Sequence, residues 1–238
     1  MSSTFEQSTC NTEKKLANFP KYIRRQTMAR FLVQHELFKR QLKIKGSIVE
    51  CGVHHGGGVM AWAKLSTTLE PYNYHRKIIG FDTFEGFPSV HELDKKRPEE
   101  TSGVDLPPVC VGSLKEDYDV IAEMEQVVND YDENRFINHI PKVELVKGDA
   151  NITIPQYIED NQHLLVSLLY LDFDIYEPTV TALKHLLPRM PKGAILAFDE
   201  VNNKYWPGET MAMLESLNLQ DHRLESFEFE PNISFIQL

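Results

Sequence analysis

Residues 164–171 read Leu-Leu-Val-Ser-Leu-Leu-Tyr-Leu and stop at Asp172. A strand wet on one side alternates apolar and polar residues, so an unbroken apolar run closed by a carboxylate specifies a central parallel strand buried on both faces. The same design recurs. Ser47-Ile48-Val49-Glu50-Cys51-Gly52-Val53, Lys77-Ile78-Ile79-Gly80-Phe81-Asp82, Lys142 to Gly148 and Ala194-Ile195-Leu196-Ala197-Phe198 are further short apolar runs. Segments with helical spacing lie between and around them. They include Tyr22, Met28, Phe31, Leu32, His35 and Phe38 on one or two helices, then Val59 to Leu65, Leu114 to Val128, Glu177 to Leu187 and Glu209 to Ser216. Strands alternating with helices predict an α/β fold, a mostly parallel sheet with helices on both faces. Leu224 to Phe229 and Ile233 to Leu238 add a terminal antiparallel hairpin, expected to turn at Glu230-Pro231-Asn232, for seven strands in all.

A chain of 238 residues can bury one sizeable core. Residues 1–18, polar at their start, are expected to be a disordered tail ahead of a single domain over 19–238. The long segment 88–140 reads as an insertion that covers the site as a lid. Thirty-five acidic against 25 basic residues give a formal charge of -10, which repels polyanions and argues against nucleic acid as a partner. No apolar run approaches the ~20 residues needed to span a bilayer, so no membrane partner is expected. Cys10, Cys51 and Cys110 are odd in number and widely spaced, which fits a reducing, cytoplasmic home better than a disulfide framework. A homo-oligomer is compatible with everything in the sequence.

Ligands of open parallel sheets bind outside the carboxyl ends of the strands. Here those ends are Glu50, Asp82, Gly148-Asp149, Asp172 and Asp199-Glu200, so acids stand at nearly every one. Glu50 precedes a turn containing Gly52, Val53, Gly56 and Gly57; a carboxylate there repels pyrophosphate and suits an amino-bearing or cationic ligand, unless the turn serves helix–sheet packing alone. Asp82, followed by Thr83, is placed to accept bonds from ribose hydroxyls or, in the blander reading, to cap the next segment. Gly148, Asp149 and Ala150 offer small neighbours for an adenine slot. Asp172, Asp174, Asp199 and Glu200 repel one another unless a cation joins them, and hard divalent ions such as Mg²⁺ take oxygen ligands. The common competing chemistries lack their parts. His54-His55-Gly56-Gly57 is like an esterase oxyanion loop, but no GxSxG elbow exists to supply a nucleophile. No GxxxxGK[ST] loop occurs, and Gly56-Gly57-Gly58-Val59-Met60-Ala61 matches a dinucleotide fingerprint only at the wrong distance from its strand.

In their order, Ile48-Val49-Glu50-Cys51-Gly52-Val53 with Gly56-Gly57, Gly80-Phe81-Asp82-Thr83-Phe84-Glu85-Gly86-Phe87-Pro88, Lys147-Gly148-Asp149, Leu171-Asp172-Phe173-Asp174-Ile175-Tyr176-Glu177-Pro178-Thr179 and Phe198-Asp199-Glu200 resemble the macrocin O-methyltransferase family. The resemblance runs from about Met28 to Glu215. It implies a Rossmann-like class I methyltransferase fold, S-adenosyl-L-methionine as cofactor, a divalent metal, and methylation of hydroxyls on natural-product sugars. It further implies that Glu50 and Gly52 border the methionine part of the cofactor, Asp82 the ribose and Asp149 the adenine. Asp172, Asp199 and Glu200 match the family's metal ligands, and Asp174 matches its general base. Glu200 stands where the family has Asp, Phe173 where it has Gly, and His54-His55 where it has a Trp-Arg-like pair.

The expected function is therefore metal-assisted methyl transfer to a small-molecule hydroxyl acceptor, sugars or glycosylated metabolites being the class the resemblance indicates. A non-catalytic domain binding a nucleoside or a protein partner on the same fold is the alternative.

Overall fold

In the computed structural model, residues 4–95 and 108–238 are described. The strands are β1 (Ser47–Cys51), β2 (Ile78–Asp82), β3 (Val143–Lys147), β4 (Val166–Leu171), β5 (Ile195–Phe198), β6 (Glu225–Phe227) and β7 (Glu230–Gln237). They form one sheet in the order β3-β2-β1-β4-β5-β7-β6. The first five run parallel, and β7 returns antiparallel between β5 and β6. Strand order reverses between β1 and β4, which makes that boundary the switch point where a crevice opens.

The helices are α1 (Thr4–Gln7), α2 (Thr12–Ala17), α3 (Arg25–Gln41), α4 (Gly57–Leu69), α5 (Val120–Glu133), α6 (Ala150–Asp160), α7 (Tyr176–Leu186) and α8 (Pro207–Ser216). Side chains alternate across the sheet, so each strand feeds two cores. Ile48, Ile78, Leu168 and Ile195 meet α3, α4 and α5 through Val33, Leu37, Trp62 and Met124. Val49, Ile79, Leu169 and Leu196 meet α6, α7 and α8 through Ile154, Leu183 and Met213. Glu50 lies in step with Ile48 and faces the α3–α4 side, where its carboxylate would otherwise be surrounded by hydrocarbon. Among the described residues no helix is long and apolar enough to cross a membrane.

Several expectations are corrected. Residues 4–17, expected to be disordered, carry α1 and α2, with Phe5 edge-on to Tyr22 at 5.3 Å. The buried stripe of α3 is Ala29, Val33, Leu37 and Phe38, while Phe31 and Leu32 face outward. Both stripes have helical spacing, and the sequence does not say which one meets the sheet. The helix expected from Leu114 starts at Val120, where the Asp119 carboxylate accepts the Ala122 N–H, and runs on to Glu133. The hairpin turns at Glu228-Phe229, and Pro231 lies inside β7. Residues 96–107 of the expected lid lie outside the described residues.

The amino ends of the strands are joined by one buried cation. Arg76, 4 % exposed, donates to Glu70 Oε1 at 2.7 Å, Gln41 Oε1 at 2.6 Å, and the Gly46 and Ile44 carbonyls at 2.7 and 3.0 Å, and also to the Ser167 hydroxyl. It thereby ties the end of α3 to the loops entering β1 and β2 and to β4. Arg76→Ala removes the ion pair with Glu70 and the guanidinium donors to Gln41 Oε1 and the Ile44 and Gly46 carbonyls, and is expected to cost about 3–5 kcal/mol in a urea unfolding titration. A loss below ~1 kcal/mol would show that the network is dispensable.

Candidate active site

A cavity of about 490 Å³ opens at the β1/β4 switch point, a size that suits a small-molecule ligand. Its wall includes Glu50, Gly52, Val53, Gly57, Asp82, Thr83, Gly148, Ala150, Asp172, Asp174, Asp199 and Glu200. The strand tips reach one rim because their pairing continues past the strands: Gly52 N–H donates to the Phe81 carbonyl, Asp172 N–H to Cys51, Asp199 N–H to Leu171 and Gly148 N–H to Asp82. Gly52 has φ +90°, and a Cβ there would sit 1.9 Å from the Asp172 carbonyl oxygen. No side chain fits, so the backbone itself forms that part of the wall.

Asp82 is a pinned carboxylate. Its Oδ2 accepts the Val53 and His54 N–H groups at 2.7 and 2.9 Å, and its Oδ1 accepts Phe84 N–H at 2.7 Å. The Thr83 hydroxyl donates to the Gly86 carbonyl at 2.6 Å and braces the next turn. Gly56, with φ +81°, caps α4 and is not part of the wall. Asp149 also stays out of it: its carboxylate accepts Asn151 N–H and caps α6. Of Gly148-Asp149-Ala150, expected beside an adenine, Gly148 and Ala150 line the cavity. Glu50 is 3 % exposed and accepts the Trp62 indole N–H at 2.5 Å.

The acids of β4 and β5 are brought together, but by a residue the sequence reading did not single out. Arg30 of α3 donates to Asp172 Oδ2 at 3.1 Å and to Asp199 Oδ2 at 2.6 Å, with Tyr170 also donating its hydroxyl to Asp199 at 2.5 Å. Glu200 turns its carboxylate to Asn203. Among the described residues, Asp172, Asp199 and Glu200 do not converge as a ligand cluster; the cluster with metal-ligand spacing is His54, His55 and Glu116. The three-acid ligand set is thus not assembled in this conformation, because a guanidinium stands between two of its members.

Asp174 follows with φ +63°, a left-handed backbone uncommon outside glycine. That turn is held by a second residue missed in the sequence. Glu209, fully buried at the start of α8, accepts Asp174 N–H on one oxygen at 3.3 Å and Glu200 N–H on the other at 3.1 Å. Its place just after Pro207-Gly208 reads as an ordinary first-turn acid, and only the packing of α8 beneath both turns reveals the link.

Burial and neighbouring carboxylates set the protonation of the rim. Burial, then the charge of Asp199, pushes Asp172 well above the usual carboxylate range, opposed by Arg30. Burial with Asp199 and Glu200 raises Asp174 to about 8. Burial also raises Glu50 to about 8, against the opposing Trp62 hydrogen bond and Arg30 charge.

The model of the family described as Macrocin-O-methyltransferase (TylF) matches residues 23–215 of this chain. The chain belongs to the macrocin O-methyltransferase family. It is accordingly an S-adenosylmethionine-dependent O-methyltransferase, with the α/β architecture that its sequence pattern indicates. Among solved structures, the calicheamicin methyltransferase CalS11 is 33 % identical with a TM-score of 0.90, covering 98 % of this chain and 88 % of its own. An apo structure of CalS11, described as a TDP-rhamnose 3'-O-methyltransferase, is 31 % identical with a TM-score of 0.81, covering 98 % and 89 %. The O-methyltransferase NovP shares the fold at 18 % identity and a TM-score of 0.58, covering 88 % of this chain and 79 % of its own. No curated protein matches the chain. The family match spans the turn after β1, the β2 tip and both acidic turns.

The raised Glu50 has a consequence for stability. Its folded value of about 8 lies above the ordinary 4.5, so its neutral form is the one the fold favours. The stability it contributes is complete below the unfolded value and is lost as pH rises through about 8. Glu50→Gln keeps an acceptor for Trp62 and cannot ionise. The melting temperature of this variant relative to wild type is therefore expected to climb from pH 5 to pH 8.5, and a pH-independent difference would show that Glu50 ionises as freely folded as unfolded.

Proposed function

We propose that this enzyme methylates a hydroxyl of a sugar or glycosylated small molecule, with assistance from a divalent cation such as Mg²⁺. The observation that carries the reading is a single cavity with a backbone-walled, Glu50- and Asp82-lined end beside an end lined by Asp172, Asp174 and Asp199. The CalS11 description as a sugar O-methyltransferase supports the acceptor class. A cytoplasmic setting accords with three free cysteines, Cys10, Cys51 and Cys110.

The residues present fit the cofactor. Gly52 lets the turns after β1 and β4 pack together without a side chain between them, Glu50 offers a carboxyl group that an ammonium would draw into its ionised form, and Asp82 keeps one acceptor site on Oδ1 for a ribose hydroxyl while its backbone donors hold it still. S-Adenosylmethionine supplies an electrophilic methyl group on a sulfonium centre. For Mg²⁺ the fit is one of donor chemistry, since Asp172, Asp199 and Glu200 are the oxygen ligands a hard cation takes. When bound, such an ion lowers the pKa of a hydroxyl and fixes its position. Arg30, which donates to Asp172 and Asp199, would compete with such an ion for their oxygens. Asp174, one turn away, receives the acceptor's proton, and Glu209 holds its backbone in place to do so. Phe173, Phe84, Phe87 and Leu114 line the cavity and exclude water, and alignment of donor and acceptor supplies much of the rate, of the order of 7 kcal/mol for well-oriented pairs.

The deciding experiment is calorimetric titration with S-adenosylmethionine and S-adenosylhomocysteine, with and without Mg²⁺, followed by transfer of labelled methyl to nucleotide sugars and glycosides. Binding with transfer to a sugar hydroxyl supports the reading; binding without transfer to any hydroxylated sugar overturns the acceptor class. Asp174→Asn is expected to lower kcat about 10²–10⁴-fold while leaving S-adenosylhomocysteine affinity within twofold. An unchanged kcat would remove Asp174 as the base. Arg30→Met is expected to tighten Mg²⁺ binding about fivefold, the ~1 kcal/mol worth of a half-exposed ion pair; weaker Mg²⁺ binding in that variant would mean that Arg30 supports the metal rather than competing with it.

A further inference from the structure

The turn after β1 carries two histidines that the methyl-transfer reading does not use. His54 Nε2 lies 2.7 Å from Glu116 Oε1, and His55 Nε2 lies 3.1 Å from the same oxygen. Neighbouring residues of an extended chain point to opposite sides. Here His54 adopts φ +50°, and the two imidazoles come together with ring centroids 4.0 Å apart. All three side chains line the mouth of the cavity.

We propose that His54, His55 and Glu116 form a second metal site, separate from the acids at the tips of β4 and β5, for a borderline divalent ion such as Zn²⁺. Two imidazoles and one carboxylate are a donor set such ions take, whereas Mg²⁺ prefers oxygen alone. The spacing agrees. Tetrahedral zinc with bonds of about 2.0–2.1 Å places its ligand atoms about 3.3 Å apart; here Glu116 Oε1 stands 2.7 and 3.1 Å from the two imidazole nitrogens and all three atoms lie within 4.8 Å of one another, so side-chain shifts without backbone movement admit the ion. A second feature is independent of the cluster. His55 Nδ1 lies 2.7 Å from the Tyr118 hydroxyl, and the two rings stack at 5.9 Å. A partner on the far nitrogen fixes the ring and leaves Nε2 toward the ion, as outer partners of metal-bound histidines do. Three protein ligands leave a fourth position open for water. Because Glu116 comes from the segment after β2 and the histidines from the turn after β1, the ion links these two elements across the cavity mouth.

The test is titration of untagged protein with Co²⁺ in excess Mg²⁺, read by visible d–d absorption, with Zn²⁺ displacement. One equivalent is expected, displaced by Zn²⁺. His54→Ala and Glu116→Gln are each expected to weaken it at least tenfold, and Tyr118→Phe about tenfold or more through the lost orienting bond. The Asp172→Asn/Asp199→Asn double variant is expected to keep the absorption. Glu116 and Tyr118 lie on an exposed segment, so these two variants report even where His54→Ala disturbs the turn. The proposal is overturned if no absorption develops, which would leave the histidines as an ion-pair latch to Glu116. It is also overturned if the absorption survives Glu116→Gln and His54→Ala, or disappears with the rim acids.

Discussion

A guanidinium reaching from α3 to the tips of β4 and β5 governs the chemistry of this molecule. Five parallel strands end on one edge of the sheet, and their pairing continues into the turns, so whatever side chains the tips carry are forced into one small volume. Here several are carboxylates. Removing carboxylates from water is costly unless an opposite charge or hydrogen bonds compensate. Arg30 answers two of them directly, and its charge is felt at Glu50 and Asp174 as well. Burial still prevails, which is why Glu50 and Asp174 rise to about 8. A rim poised this way responds strongly to any cation that enters, be it a sulfonium, an amino group or a metal ion.

The arrangement also explains why so much of the rim is held by backbone contacts. Asp82 is pinned by three N–H groups, Glu209 grips Asp174 and Glu200 through theirs, and Asp94 accepts Tyr176 N–H at 2.8 Å. Acids that hold loops through peptide hydrogen bonds gain donors that water would otherwise supply. The same contacts fix the left-handed turn at Asp174, a conformation that persists only when its surroundings enforce it.

The strands, their parallel direction and the acids at their tips were legible in the sequence, because a strand buried on both faces must be apolar throughout and its end is marked by the first charge, as at Leu171-Asp172 and Phe198-Asp199. The glycine at position 52 was equally legible, since a backbone wall admits no side chain. The buried stripe of α3 was not: Phe31 and Leu32 are as apolar as Val33 and Leu37, and spacing alone cannot say which face meets the sheet. The N-terminal helices were missed because residues 4–17 bury nothing, and the short, polar α1 and α2 carry little of the periodicity from which helices are read.

The sequence by itself determined the class of fold, the family, and the acids at the tips of β1, β2, β4 and β5 that line the cavity, all of which follow from local patterns along the chain. Only the tertiary structure decided which cation those acids face. Arg30 lies far from Asp172 and Asp199 in sequence, and its partnership with them exists because α3 crosses the β4 and β5 tips. Glu209 was settled in the same way, as were the paired imidazoles of His54 and His55 against Glu116. Long-range encounters between charged groups leave no periodic trace in a sequence, because they are set by how elements stack and not by the spacing within any one of them.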